Sequence, residues 1–540
     1  MVETSASHRR GTSTRALFLT LFAALLLGIF SAHAANNVLQ RGNGAEPETL
    51  DVHKSSGVPA AGIQRDLFEG LVAEAADGSL IPGVAESWTL SDGGKVYTFR
   101  LRKNAKWSNG DPVTAHDFVF ALRRGVDPAV GSGYAFILWP IANGEEITKG
   151  TIKELDRLGV EAVDAHTLKV TLKAPTPYFI GMLTHPHAYP VHPKTLERHG
   201  DKWTRAGNLV SNGAYRLTEW VPQSHIRLER NPHYWDAADV RIDAVVFHPT
   251  EDTSTELKRF RSGELDITYD VPPDQIAWVE KNLAEQFHNT AYLGTYYYAL
   301  NLTKALFRDR PGLRNALAMT IDREILTGKV TKGGEIPAYA WVPPGVNRYA
   351  GARVPWAGLS KAERLARAKK LYTEAGYSKD NPLKVQILYN TSDNHKRIAI
   401  AISGMWKKAL GVWTELFNQE WKVYLTTRRA KLFDVLRAGW IGDYNDANTF
   451  LELLKGDVGT MNPAGWSNPE YDALMRKAET EADLEVRAKL MQKAEGILLA
   501  DMPIIPIYHY TTQHLVSPRV KGWKDNVMDV HPTRYLSLVP

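Results

Sequence analysis

A chain of 540 residues is too long for a single hydrophobic core, so at least two domains are expected. It contains no cysteine, which excludes disulfides and thiolate catalysis and argues against most structural zinc sites. The formal net charge of +5 is small and its lysines and arginines are scattered, which excludes a nucleic-acid footprint.

Arg9, Arg10 and Arg15 precede an apolar run over residues 16–30 and then Ala32-His33-Ala34, the layout of a secretory signal peptide. The run falls short of the roughly 20 residues that span a bilayer. Cleavage is expected after Ala34. Gly11-Thr12-Ser13 lacks the apolar residues of a twin-arginine signal, so general secretion is expected. No second long apolar run follows, and the mature chain is expected to be soluble.

The next region reads as short strands with few long helices. Tyr97-Thr98-Phe99-Arg100-Leu101 alternates as a half-buried strand, and Asn109-Gly110-Asp111-Pro112 forms a turn. Thr114 and Asp117 make a capping box that opens a helix through Phe118 and Leu122. Strands are expected over 168–172, 214–217, 226–229 and 244–248. From about residue 295 strands alternate with longer helices, which predicts an α/β unit with a largely parallel sheet. Ser360 caps a helix with Glu363; Leu365, Ala368, Leu371, Tyr372 and Ala375 form its apolar face, and Gly376 ends it. A strand through Leu383, Val385, Ile387 and Tyr389 follows, then a helix bearing Ile398, Ile402, Met405 and Trp406 that closes at Gly411. A strand over 412–416, a short helix near Trp421 and a strand over 433–440 complete the pattern.

Beside parallel strands, ligands bind in the crevice outside the carboxyl ends. The polar loops 390–395 and 441–448 take that position. If their strands share a sheet, His395 and Asp443 open onto one edge together with Arg437 and Trp440. An anion, a cation and aromatic walls suit a ligand with both an ammonium and a carboxylate, each held by charge-assisted bonds worth about 1.5 to 3 kcal/mol. Plainer readings stand beside these: Asp443 as a turn former, His395 as a cap, Trp421 and Trp440 as packing. Arg437 is the sharpest candidate, since a charge inside an apolar strand must lie on a polar face or be paired.

His185-Pro186-His187 with His192 reads as an ordinary loop rather than a metal site, because no acidic or cysteine ligand lies nearby in sequence. His-Glu-x-x-His, Gly-x-Ser-x-Gly and phosphate-loop patterns are all missing.

The segments Arg65-Asp66-Leu67-Phe68-Glu69-Gly70-Leu71, Pro82-Gly83-Val84-Ala85-Glu86-Ser87-Trp88, Ser211-Asn212-Gly213-Ala214-Tyr215 and Leu313-Arg314-Asn315-Ala316-Leu317 through Ile321-Asp322-Arg323 resemble those of the extracytoplasmic peptide-binding proteins of bacterial ABC importers, solute-binding family 5. The resemblance runs from about residue 38 to the end. Asn390-Thr391-Ser392-Asp393, Asn418-Gln419-Glu420-Trp421-Lys422 and Arg437-Ala438-Gly439-Trp440 are similar to the oligopeptide-binding members.

The resemblance implies a periplasmic-binding-protein-like α/β fold with mixed sheets and three domains in two hinged lobes: 35–69 with 193–294 and 511–540, 70–192, and 295–510. The chain would cross between lobes near Gly294 and Tyr510. It implies a non-catalytic, monomeric periplasmic receptor without cofactor or metal, which closes on an extended short peptide and hands it to an inner-membrane permease. Asp443 would hold the peptide ammonium, Arg428, Arg437 and His395 would meet carboxylates of peptides of different length, Trp421, Trp440 and Tyr134 would wall pockets, and Val58 would pair with peptide backbone. Two positions depart from the pattern. A lysine of similar proteins falls at about Thr331, beside Lys332, and Gly294 and Ile441 stand where some members carry a disulfide. The rival readings are a murein-peptide receptor on the same fold, then dipeptide, haem or nickel binding, and, from another class, an exported peptidase or amidase.

Overall fold

The computed structural model describes residues 37–346 and 348–539, so the expected signal peptide lies outside the described residues. Among them no helix is long and apolar enough to cross a membrane.

The local signals build the elements they predict. Thr114 and Asp117 close a capping box on the helix Ala115–Val126, and Ser360 with Glu363 does the same for Lys361–Glu374. Gly411, with a φ of 81°, ends the helix Asp393–Leu410 in the left-handed region that favours glycine. The expected strands appear as Val96–Leu101, Thr167–Thr171, Tyr215–Val221, His225–Arg230 and Ala244–Pro249. A ten-residue helix, Val58–Leu67, forms early in the chain, in a region expected to hold short strands and few long helices. It carries Pro59 in its first turn, where a missing N–H is harmless.

Two four-stranded sheets occupy the first half. One runs in the order Val38–Gly44, Ala244–Pro249, His225–Arg230, Tyr215–Val221; the other runs Ala85–Ser91, Val96–Leu101, Thr167–Thr171, Val160–Asp164. The large sheet of the second half has six strands: Ile336–Pro337, Ile504–Leu515, Phe287–Leu300, Val435–Ile441, Lys384–Asn390 and Trp413–Gln419. It is not largely parallel, as its sequence suggested. Lys384–Asn390 pairs in parallel with both its neighbours, but Phe287–Leu300 is antiparallel to Val435–Ile441 and to Ile504–Leu515. Alternation of strands with helices reveals only the crossover strands, and the antiparallel members enter from distant parts of the chain.

Phe287–Leu300 and Ile504–Leu515 are the two long strands that join the halves. Residues 295–299 pair with 504–509 inside the six-stranded sheet, whereas 287–291 pair with 511–515 beyond a register shift between Ala291 and Thr295. There Ile267 bridges both Val516 and Arg41, tying the pair to the first four-stranded sheet. Gly294 lies at the shift, directly opposite Ile441, and a Cβ on it would stand 2.5 Å from Ile441 Cδ1. Close packing thus fills the place where the resemblance implies a disulfide in some members.

Candidate ligand-binding cleft

Lys384–Asn390 and Val435–Ile441 are parallel neighbours, with Ile387 opposite Val435, so the loops that follow them open on the same edge of the sheet. Asp443 lies just beyond the second strand. Its backbone N–H donates to Thr449 Oγ1 at 3.0 Å, and its carboxylate has a weak contact with the same hydroxyl at 3.4 Å. Among the described residues no lysine or arginine forms an ion pair with it. Burial pushes the carboxyl up to about 7, opposed by the charge of Arg65 and by Thr449.

His185, which sequence reasoning left in an ordinary loop, stands with Nε2 at 3.5 Å from Asp443. The His187 N–H donates to its Nδ1 at 3.2 Å, so Nε2 carries the hydrogen that faces the carboxylate. Burial, with the neighbouring His187 and Arg65, holds the His185 ring well below its usual range and therefore neutral. The ring stacks on Tyr134 at 4.8 Å, and Tyr134 stacks in turn on Trp440 at 6.3 Å. The acidic neighbour expected to be lacking is supplied from 258 residues away, a separation no sequence motif spans. His187 instead bonds the Gly125 carbonyl, and His192 bonds Thr195 and Asp111.

At the other end of the strand lie cations. Arg437 is 8% exposed; it donates to Asn390 Oδ1 at 3.0 Å and Tyr510 Oη at 2.8 Å, lies over the Tyr296 ring, and touches no carboxylate. Arg428 is equally buried, and neither its Nε nor its Nη2 has a partner in the protein. His395, in the first turn of Asp393–Leu410, also has a buried ring nitrogen without a partner; burial and the charge of Arg437 hold it neutral.

The walls carry unmet donors too. The indole nitrogens of Trp421 and Trp440 are buried and unpartnered. Trp421 stacks on Tyr424 at 5.5 Å and presses on the first half of the chain at Gly57, where a Cβ would lie 2.7 Å from its ring. Val58 follows as the first residue of a helix rather than in a strand, so only the free N–H groups of a helix start are available there for pairing. Thr331 is buried and donates to Glu335 at 2.8 Å, while Lys332 beside it is exposed.

The two halves meet across this cleft. Arg429 holds Glu48 through two bonds of 2.6 and 2.7 Å, and Tyr178 stacks on Tyr444 at 5.5 Å. Five of the eight residues singled out from sequence, Arg428, Arg437, His395, Trp421 and Trp440, thus bring buried polar atoms without partners to one enclosed place.

Two α/β bodies joined by a pair of long strands and closed over unmet polar groups define a hinged binding protein. The chain belongs to the bacterial extracellular solute-binding proteins, family 5, whose model matches residues 79–462. It is 45% identical over 493 residues to the periplasmic oligopeptide-binding protein OppA of Escherichia coli K12, covering 91% of this chain and 90% of that protein. The structure of Haemophilus influenzae OppA in complex with RPPGFSPFR superposes with a TM-score of 0.91 at 42% identity, covering 94% of this chain and 99% of that one. The murein tripeptide binding protein MppA of Escherichia coli also gives 0.91 at 42% identity, covering 93% and 98%. Its unliganded open form, at 41% identity over 94% and 98%, gives 0.66, so the lobes here are set differently from that open form.

Proposed function

We propose that this chain is a periplasmic receptor that encloses short peptides in extended form and delivers them to an inner-membrane ABC permease. One observation carries the reading: buried polar atoms without partners on Arg428, Arg437, His395, Trp421 and Trp440 line a cleft in which, among the described residues, Arg428 and Arg437 touch no carboxylate and Asp443 pairs with no lysine or arginine. Buried polar groups are normally satisfied, so a set of unmet ones calls for a ligand that supplies the partners. A free peptide does so, with its ammonium on Asp443 and its carboxylate on a guanidinium. Each added residue moves the carboxylate by about 3.3 Å, so separate cations accept separate lengths. OppA and its peptide-named complex support the same ligand class.

The test is calorimetry with free and amino-acetylated peptides. Asp443→Ala is expected to weaken free peptides by about tenfold or more, the worth of a charge-assisted bond, and acetylated ones far less. Equal losses for both would remove Asp443 from the ammonium role. The likeness to MppA supports a second reading, a murein-peptide receptor. Native mass spectrometry of protein taken from its own periplasm separates the two, since a ladder of unrelated peptides fits the first reading and a single muropeptide the second.

A further inference from the structure

His514, Asp529 and His531 gather outside the cleft residues, where the carboxyl-terminal segment packs on the strand Ile504–Leu515, and their ligating atoms all lie within 4.8 Å of one another. His514 Nδ1 is 2.9 Å from the Thr268 carbonyl oxygen, which only accepts, so Nδ1 carries a hydrogen. The Nε2 of the same ring faces Asp529, 3.0 and 3.2 Å from its two oxygens, a contact made through a proton on Nε2 while no metal is bound and through a metal ion that displaces that proton. His531 Nε2 stands 2.9 Å from the same carboxylate. His514 Nε2 and His531 Nε2 thus converge on one carboxylate, where a divalent ion takes the place of the proton.

The surroundings suit the metal. Two imidazole nitrogens and one carboxylate form the donor set of a zinc-like divalent ion and leave one tetrahedral position for water. Thr268 supplies the outer-shell bond that fixes the His514 tautomer. The Trp523 ring lies flat on His531 at 3.7 Å and edge-on to His514 at 5.4 Å, which fixes both rings. Asp529 takes a φ of 54°, a backbone that side-chain-bearing residues seldom adopt.

We propose that His514, Asp529 and His531 form a site for a divalent transition-metal ion of the zinc type, which staples the segment around Asp529 to the strand that crosses between the halves. The site does not rest on the peptide reading.

The test uses tag-free protein stripped with EDTA, dialysed against zinc sulfate and assayed by elemental mass spectrometry, with a zinc-edge anomalous map from crystals. One zinc per chain is expected between the three side chains. In Asp529→Ala and His531→Ala affinity should fall by more than the about 10- to 100-fold that loss of an outer-shell partner brings. Zinc should also raise the melting temperature of the wild type and not of the variants. Wild-type protein that retains no stoichiometric zinc, or zinc that persists in both variants, overturns the site. Peptide calorimetry on the stripped protein keeps the two readings apart, because its outcome bears on the cleft alone.

Discussion

Four of the buried arginines in the second half of this chain live in two different worlds. Arg314 donates to the carbonyls of Phe307, Arg308 and Asp501 and to the Asp501 carboxylate; Arg323 donates to the carbonyls of Pro506, Ala318 and Ile321 and lies between the Tyr339 and Trp356 rings. Arg428 and Arg437, along the cleft, leave Nε or Nη groups bonded to nothing in the protein. Residue type is the same in both places, and all four side chains are buried. Satisfaction separates them, and on the proposed function the second pair meets the ligand.

The largest effect that tests this contrast is on stability. Arg323→Met orphans three buried carbonyls, each worth about 1 to 3 kcal/mol, so urea denaturation should find a loss of at least about 3 kcal/mol. Arg428→Met removes a buried charge that has little to lose, a change that is often neutral or stabilising, and should shift stability by less than about 1 kcal/mol. Similar losses in both would erase the distinction. Binding should invert the order. Arg437→Met should weaken free peptides of the length that reaches it by about tenfold or more and leave their carboxyl-amidated forms nearly untouched, as calorimetry would show.

Closure should respond to pH through the anionic end. In the closed arrangement burial pushes the Asp443 carboxyl up to about 7, well above the usual range of about 4 that an open, solvated cleft would restore. A carboxyl with a raised closed-state pKa favours closure while protonated, and that advantage is lost as pH rises from about 4 through 7. His185 and His395, held neutral by burial, push the other way below about pH 6.5. The Asp443 effect is therefore the difference between wild type and Asp443→Asn in small-angle scattering of ligand-free protein. Wild type should open more than the variant as pH rises through this window. Parallel profiles would mean that Asp443 does not sense closure.

The sequence spoke clearly wherever one element carried its own signal. The capping boxes at Thr114 and Ser360 fall where spacing placed them, and alternation in Lys384–Asn390 led directly to the loop edge beside His395. It was silent where burial removes periodicity. Tyr296, Tyr297 and Tyr298 are all fully buried in a central strand covered on both faces, so the longest strand of the fold has no alternation to read over that stretch. The partnership of His185 with Asp443, and of Arg437 with Tyr510, depends on contacts between distant segments that local pattern does not encode. Val58, expected to pair with peptide backbone, stands at the start of a helix whose first N–H groups are free, a setting that the local sequence does not announce.

The smallest expected effect sharpens the comparison most, because it sets neighbours against each other. Arg428 and Arg429 end the same helix, Trp421–Arg429, but Arg429 spans the cleft to Glu48 and both partners keep solvent contact, at 37% and 22% exposure. Such a pair contributes about 0 to 1 kcal/mol and is screened by salt. Arg429→Ala should thus weaken every peptide a few-fold at most, whatever its termini, because it acts on lobe closure alone, and the loss should shrink as salt is added. Arg428→Met should instead discriminate free from amidated carboxyl ends and keep that discrimination in salt, because its guanidinium is shielded from solvent. If calorimetry finds the terminus dependence at Arg429 and the uniform, salt-sensitive loss at Arg428, the cation that meets the ligand is the one that already has a partner, and unmet hydrogen bonds have pointed to the wrong arginine.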